Sequence, residues 1–274
     1  MECDKSWDAV LDPGKATDYF TAFTRPTFDP TCADWNSGQA WWCSEISRAI
    51  YRRDGRDQFL AQAGLHERQF FDEGSTQASL VTADNFCVLV FRGTADLRDW
   101  ATNVRIAPTT WPAGGRVHEG FARAASRVRD AMAGALQDID LPTFVTGHSL
   151  GGALATLALS HHRCIAGYTF GAPRVGDTAF WQTLTRPLHR VVNDRDLVPT
   201  LPPRRIGYQH GGAGVHLRSD GSLQPHTDER DREEASDNEL EDSLSQRRWY
   251  QPPERLSDHA PINYSHRLLR LAVH

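Results

Sequence analysis

Thr143-Phe144-Val145-Thr146-Gly147-His148-Ser149-Leu150-Gly151-Gly152-Ala153-Leu154 is the stretch on which the fold turns. Residues 143–146 are apolar or β-branched and read as a short buried strand. Residues 150–159 are small residues and leucines and read as a helix. Between them lies Gly147-x-Ser149-x-Gly151, in the strand–turn–helix setting that a serine held on a sharp turn requires. Glycines on either side let the turn be tight and let the helix approach the strand. Ser149 then projects at the carboxyl edge of a sheet, and the helix N-terminus behind it favours developing negative charge. A serine hydroxyl is a poor nucleophile until a histidine accepts its proton. His148 is adjacent in sequence, but successive residues at such a turn point apart, so it reads as a packing or hydrogen-bonding residue.

Outward from this point the pattern alternates. Residues 79–82 and 86–91 are strand-like runs joined by the hairpin-like Ala83-Asp84-Asn85. Residues 117–137 carry a long helical pattern, 165–170 read as a strand, 178–184 as a helix and 188–192 as a strand. Residues 39–52 read as a helix with Trp42, Ile46, Ala49 and Ile50 near one face, and residues 261–273 as a last helix with a proline in its first turn. Residues 206–217 are expected to add strands, and residues 1–37, interrupted by Pro13, Pro26 and Pro30, show no regular element. Strands alternating with helices predict a mainly parallel sheet covered on both faces, in one domain over 1–274, and with the elbow at Ser149 that layout resembles the α/β-hydrolase fold.

Composition narrows the function. The chain has 274 residues, 39% of them hydrophobic, and a net charge of −5. Residues 228–242 hold nine acids against two arginines, so the remainder is close to neutral. That balance carries no nucleic-acid footprint and no polybasic membrane anchor. The polar stretch 225–248 reads as a solvated excursion. Five cysteines without C-x-x-C spacing argue against a zinc site, and an odd count excludes a full disulfide framework; Cys87 and Cys164 sit in apolar runs and read as core thiols. No run approaches a membrane span. Residues 1–10 lack a basic start followed by an apolar stretch, so a cytoplasmic protein is expected, secreted only if a leader is missing.

Serine hydrolases of this fold supply their residues in the order Ser, acid, His. In Val191-Val192-Asn193-Asp194-Arg195-Asp196-Leu197-Val198-Pro199 both Asp194 and Asp196 fall where a strand meets a loop, and position alone divides the role evenly between them. Six histidines follow: His210, His216, His226, His259, His266 and His274. His210 and His216 lie in strand-like stretches and read as structural. His226 is in the acidic excursion and His274 at the end of the chain. His266 reads as an exposed helical residue. His259, just before the last helix, is placed to reach back over the elbow.

Several segments resemble the motifs of the class 3 (fungal-type) triacylglycerol lipases, in that family's order. They are Val90-Phe91-Arg92-Gly93-Thr94, Val117-His118-Glu119-Gly120-Phe121, residues 147–151, residues 168–176 and Asp196-Leu197-Val198-Pro199. The resemblance spans about 80–200 and extends to Tyr264. It implies Asp196 as the acid, His259 in an Asp-His…Tyr segment as the base, and Thr94 as an oxyanion donor beside the Leu150 N–H. It also implies a lid over the acyl pocket. The segment after Thr94 suits that role: Leu97, Trp100, Ala101 and Val104 share one helical face, with Asp96, Arg98, Asp99 and Asn103 opposite. The expected function is hydrolysis of lipid-like carboxylic esters (acylglycerols or phospholipids), with transient contact with a lipid interface and no metal or cofactor. The alternatives are a thioesterase or amide hydrolase with the same triad, because a triad sets mechanism rather than leaving group, or a non-catalytic lipid-binding domain.

Overall fold

The computed structural model describes residues 3–94, 107–225 and 252–273. The lid candidates Leu97, Trp100 and Val104 and the excursion 225–248, apart from Pro225, lie outside the described residues. Ten strands are described: β1 His66–Glu73, β2 Thr76–Thr82, β3 Cys87–Phe91, β4 Pro108–Thr110, β5 Arg116–His118, β6 Thr143–His148, β7 Gly167–Phe170, β8 Leu188–Asn193, β9 Ala213–Leu217 and β10 Leu223–Pro225. The α-helices are α1 Trp7–Leu11, α2 Ser37–Ala49, α3 Arg56–Gln62, α4 Glu119–Gln137, α5 Leu150–Leu159, α6 Thr178–Thr183, α7 Glu254–Ser257 and α8 Pro261–Ala272. Eight strands form one sheet in the order β1-β2-β3-β6-β7-β8-β9-β10, and β4 pairs with β5 apart from it. The run from β3 to β9 is parallel, and the outer pairs β1–β2, β2–β3 and β9–β10 are antiparallel.

Strands with helices on both faces have no solvent side, so their sequences are apolar throughout. Every residue of β3, β6, β7 and β8 is buried. Alternation still assigns faces. Val88, Val90 and Phe144 join Trp41, Ile46 and Leu268 of α2 and α8, whereas Leu89, Phe91 and Val145 join Phe121, Val128, Leu154 and Leu157 of α4 and α5. Cys87 and Cys164 are buried on the second side, where burial pushes both thiols up to about 12. Among the described residues no helix is long and apolar enough to cross a membrane.

The departures from expectation have local causes. Residues 116–118 form β5 rather than the first turn of a helix, and His118 ends the strand by capping α4, its Nδ1 accepting from the Phe121 N–H. Strand β1 is an edge strand with only Phe71 buried, so its polar sequence carries no apolar alternation to read. Helix α2 is buried on every side from Gly38 to Ala49 rather than along one stripe. That burial is possible because its charged residues satisfy one another: Arg48 sits 2.5 Å from Glu45 and 2.6 Å from Asp18. Glu45 also accepts from the Phe20 N–H and the Ser265 hydroxyl, joining the N-terminal segment, α2 and α8.

Candidate active site

The elbow forms where β6 ends. Ser149 has φ 58° and ψ −129°, a region that costs a non-glycine residue about 1–3 kcal/mol and persists only when its surroundings over-determine it. They do. The Ser149 N–H donates to Phe170 O at 2.9 Å, and the Ser149 carbonyl accepts from Gly152 N at 2.9 Å. A Cβ at position 147 would overlap the Gly151 backbone, and one at 151 would overlap the Phe91 carbonyl. Both glycines of the motif are therefore demanded by close backbone approach. Ser149 is buried, and its Oγ has no hydrogen-bond partner among the described residues.

Strand β3 pairs with β6 so that Phe91 lies opposite Gly147. Residues 92–94 consequently leave the sheet beside the elbow, which brings Thr94 to the same edge as Leu150. The Leu150 N–H opens α5, where the first donors of a helix have no intrahelical acceptor.

At the end of β8 the two aspartates separate. Asp194 (φ 44°) donates its N–H to Leu217 O, accepts from His216 Nε2 at 2.7 Å on its carbonyl, and turns its carboxylate toward Arg267 at 3.5 Å. Asp196 is buried, and three donors converge on it. Val198 N donates to Oδ1 at 2.9 Å, the Tyr264 hydroxyl to Oδ2 at 2.6 Å, and His259 Nδ1 lies 3.0 and 2.8 Å from the two oxygens. A carboxylate only accepts, so Nδ1 carries the proton and Nε2 presents its lone pair. That Nε2 is buried and, like Ser149 Oγ, without a partner among the described residues. The Asp196–His259 bond is thus formed, and no bond joins His259 Nε2 to Ser149 Oγ. The His259 ring packs 4.5 Å, centroid to centroid, from the ring of His148, which places it against the elbow.

His210 bonds Pro199 O. His266 is not an exposed helical residue as expected: its side chain is 15% exposed and lies 3.5 Å from Asp18, because the N-terminal segment covers α8. His226 and His274 lie outside the described residues.

Tyr264, the tyrosine of the Asp-His…Tyr segment, is a partner whose hydrogen bond to Asp196 the sequence does not reveal. Burial, and then the Asp196 charge, push its phenol well above its usual range, so it stays a donor to Oδ2 while accepting from Asn193 N at 3.1 Å. Asn193 Nδ2 in turn donates to Asp258 O at 2.8 Å, tying β8 to the histidine's loop. Beside that loop the Asp258 carboxyl is pushed up to about 7, first by burial and then by Asp194. Gly171 (φ +57°) completes the crevice: a Cβ there would stand 2.6 Å from Asp196 Oδ2 and 3.0 Å from both His259 Nδ1 and Tyr264 Oη. Gly171→Ala is expected to lower kcat by about a hundredfold, the scale for an ångström of misplacement in a reacting group. Steady-state kinetics on a soluble ester check this, and an unchanged kcat means that the crevice relaxes freely.

Against this geometry, the class 3 lipase family profile matches residues 88–206. Over those residues the chain resembles the class 3 lipases. A lipase of Rhizomucor miehei is 38% identical over 143 residues, covering 45% of this chain and 39% of that protein. The secreted mono- and diacylglycerol lipase 1 of Fusarium solani is 39% identical over 137 residues, covering 45% and 41%. The chain thus spans about two fifths of the length of these curated relatives. The solved triacylglyceride lipase of Rhizomucor miehei superposes with a TM-score of 0.60 at 26% identity, covering 68% of this chain and 82% of that one. The fold is that of the α/β-hydrolases. The expected cytoplasmic setting is overturned by the secreted Fusarium solani relative, which points to an extracellular one. The lack of an apolar run in residues 1–10 carries no information about where the folded protein works.

Proposed function

We propose that the protein is a serine carboxylic-ester hydrolase acting on lipid-like esters, acylglycerols or phospholipids, at a triad of Ser149, His259 and Asp196. The reading rests on one observation above the others: an imidazole held by a buried carboxylate, its other nitrogen unpartnered among the described residues, and its ring 4.5 Å from that of His148 at the strained elbow that carries Ser149. Ser149 Oγ attacks the ester carbonyl as His259 Nε2 takes the hydroxyl proton. The oxyanion accepts from the Leu150 N–H and from Thr94. Collapse expels the alcohol, which takes the proton from His259 and leaves an acyl-serine. Water, deprotonated by the same nitrogen, then releases the acid. Asp196 holds the imidazole in the Nδ1–H tautomer and stabilises the imidazolium formed in each half-reaction. Hydrolysis rates across glyceride chain lengths, below and above the concentration at which the substrate aggregates, test this function; no turnover of any ester would sink it.

The amphipathic pattern of Leu97, Trp100 and Val104 supports a lid that exchanges a pocket-covering position for contact with lipid. An interface shifts such an equilibrium by its differential affinity for the open state. Trp100→Ala is therefore expected to cut activity on emulsified long-chain ester much more than on soluble short-chain ester. A fixed core helix gives the contrary result, with equal loss on both substrates and a lowered Tm. One polypeptide domain with a solvated excursion at about 225–248 accompanies this reading.

A further inference from the structure

Two buried groups beside the triad take no part in the chemistry above. Tyr51 follows the C-terminal end of α2, and His148 is the last residue of β6; both are 3% exposed. The Tyr51 hydroxyl lies 3.0 Å from His148 Nδ1, and His148 Nε2 lies 2.7 Å from the backbone carbonyl oxygen of His259. On its other side the same hydroxyl is hydrogen-bonded by the backbone of Gly93.

The direction of every bond in this chain is determined. A carbonyl oxygen only accepts, so His148 Nε2 carries a hydrogen and donates it to His259. His148 Nδ1 is then a lone pair, which the Tyr51 hydroxyl must fill. The tyrosine oxygen is left to accept from the Gly93 N–H. Three bonds therefore run head to tail from the residue before Thr94 to the base itself, and bonds in such a series polarise one another. The chain is also neutral throughout. Burial holds the His148 imidazole well below its usual range, and burial raises the Tyr51 phenol. Neutrality matters because the rings of His148 and His259 are 4.5 Å apart, and a charged His148 would oppose the imidazolium that His259 becomes during turnover.

We propose that Tyr51 and His148 are positioning residues, a neutral relay that holds the oxyanion turn at Gly93–Thr94 in register with the base at His259. The two halves of the site come from segments more than 160 residues apart in the chain, joined here by side chains whose hydrogen-bond capacity is used in one sense only. The relay rests on the triad reading proposed above.

Three variants and one spectroscopic measurement test it. Tyr51→Phe removes one oxygen and leaves the Gly93 N–H and His148 Nδ1 unpartnered in a buried place. Its kcat on a soluble short-chain ester is expected to fall about tenfold, with KM unchanged, as a misaligned but intact site requires. His148→Leu also removes the donor to His259, and its kcat should fall by ten- to a hundredfold, in the range for a displaced general base. Glutamine can place an amide N–H near the Nε2 position, so His148→Gln should stay within about threefold of the parent. A purely structural role predicts that loss of kcat follows loss of Tm across all three and that glutamine fares no better than leucine. Either result overturns the relay, as does a Tyr51→Phe enzyme with parental kcat. Nitrogen-15 NMR of the His148 ring reads the same arrangement without turnover. The neutral Nε2–H tautomer is expected throughout roughly pH 5 to 8 in the parent protein, and loss of its dominance in Tyr51→Phe. An Nδ1–H tautomer in the parent overturns the relay. Absence of ester hydrolysis with the Nε2–H tautomer in place overturns the triad reading and leaves the hydrogen-bond chain standing.

Discussion

Ser149→Ala should abolish ester hydrolysis, lowering kcat by about 10^4- to 10^6-fold, while leaving the melting temperature within a few degrees of the parent. The change removes one oxygen that makes no hydrogen bond among the described residues, so no partner is stranded. The strained backbone at position 149 is retained, since alanine meets the same barrier to positive φ as serine, and the Ser149 N–H and carbonyl bonds are main-chain. What disappears is the atom that the proposed mechanism acylates. A residual rate set by the oxyanion donors and substrate binding is all that should survive. Initial rates on a p-nitrophenyl ester, a fluorophosphonate label and a thermal melt together check this. Retention of most activity, or labelling at another serine, removes Ser149 from the mechanism.

Asp196→Asn carries the next largest effect, a fall in kcat of about 10^4-fold, the scale for a histidine held in the wrong tautomer. The argument is a count of donors. Val198 N–H, Tyr264 O–H and His259 Nδ1–H all point at two carboxylate oxygens. An amide offers one oxygen and one NH2, so in either orientation a donor meets a donor. The neutral imidazole escapes by moving its proton to Nε2, and the lone pair that should face Ser149 is lost. Asp194→Asn makes the comparison sharp. Among the described residues its carboxylate bonds Arg267, at 3.5 Å, and its backbone bonds do not depend on the side chain, so kcat should change less than about twofold. If the two variants exchange behaviour, the acid is the wrong aspartate of the pair.

How this chain folds is largely legible from local pattern. A wholly buried parallel strand is a short apolar run, and β3, β6, β7 and β8 are such runs separated by helical stretches. The order of layers therefore follows from hydrophobicity alone. The elbow is equally local, because a strand, a turn with a glycine on either side and a helix occupy consecutive residues. Edge strand β1 escapes this reading for the same reason: with one face in solvent and one partner, its sequence has little apolar periodicity to show.

By itself, the sequence determined the elbow at Ser149, the alternating sheet and, through motif order, the resemblance to the class 3 lipases. Tertiary structure alone decided what surrounds those residues. Position could not separate Asp194 from Asp196, two residues apart on one turn; they differ because Tyr264, His259 and Val198 N–H converge on one, and His216 and Arg267 on the other. Nor does any local pattern join Tyr51 to His148, or Asn193 to Asp258, since these hydrogen bonds close loops of 97 and 65 residues. Hydrophobic periodicity reports burial, which every residue on a face shares. A hydrogen bond reports direction and distance between two particular atoms, and those exist only once the sheet has brought distant segments to a common edge.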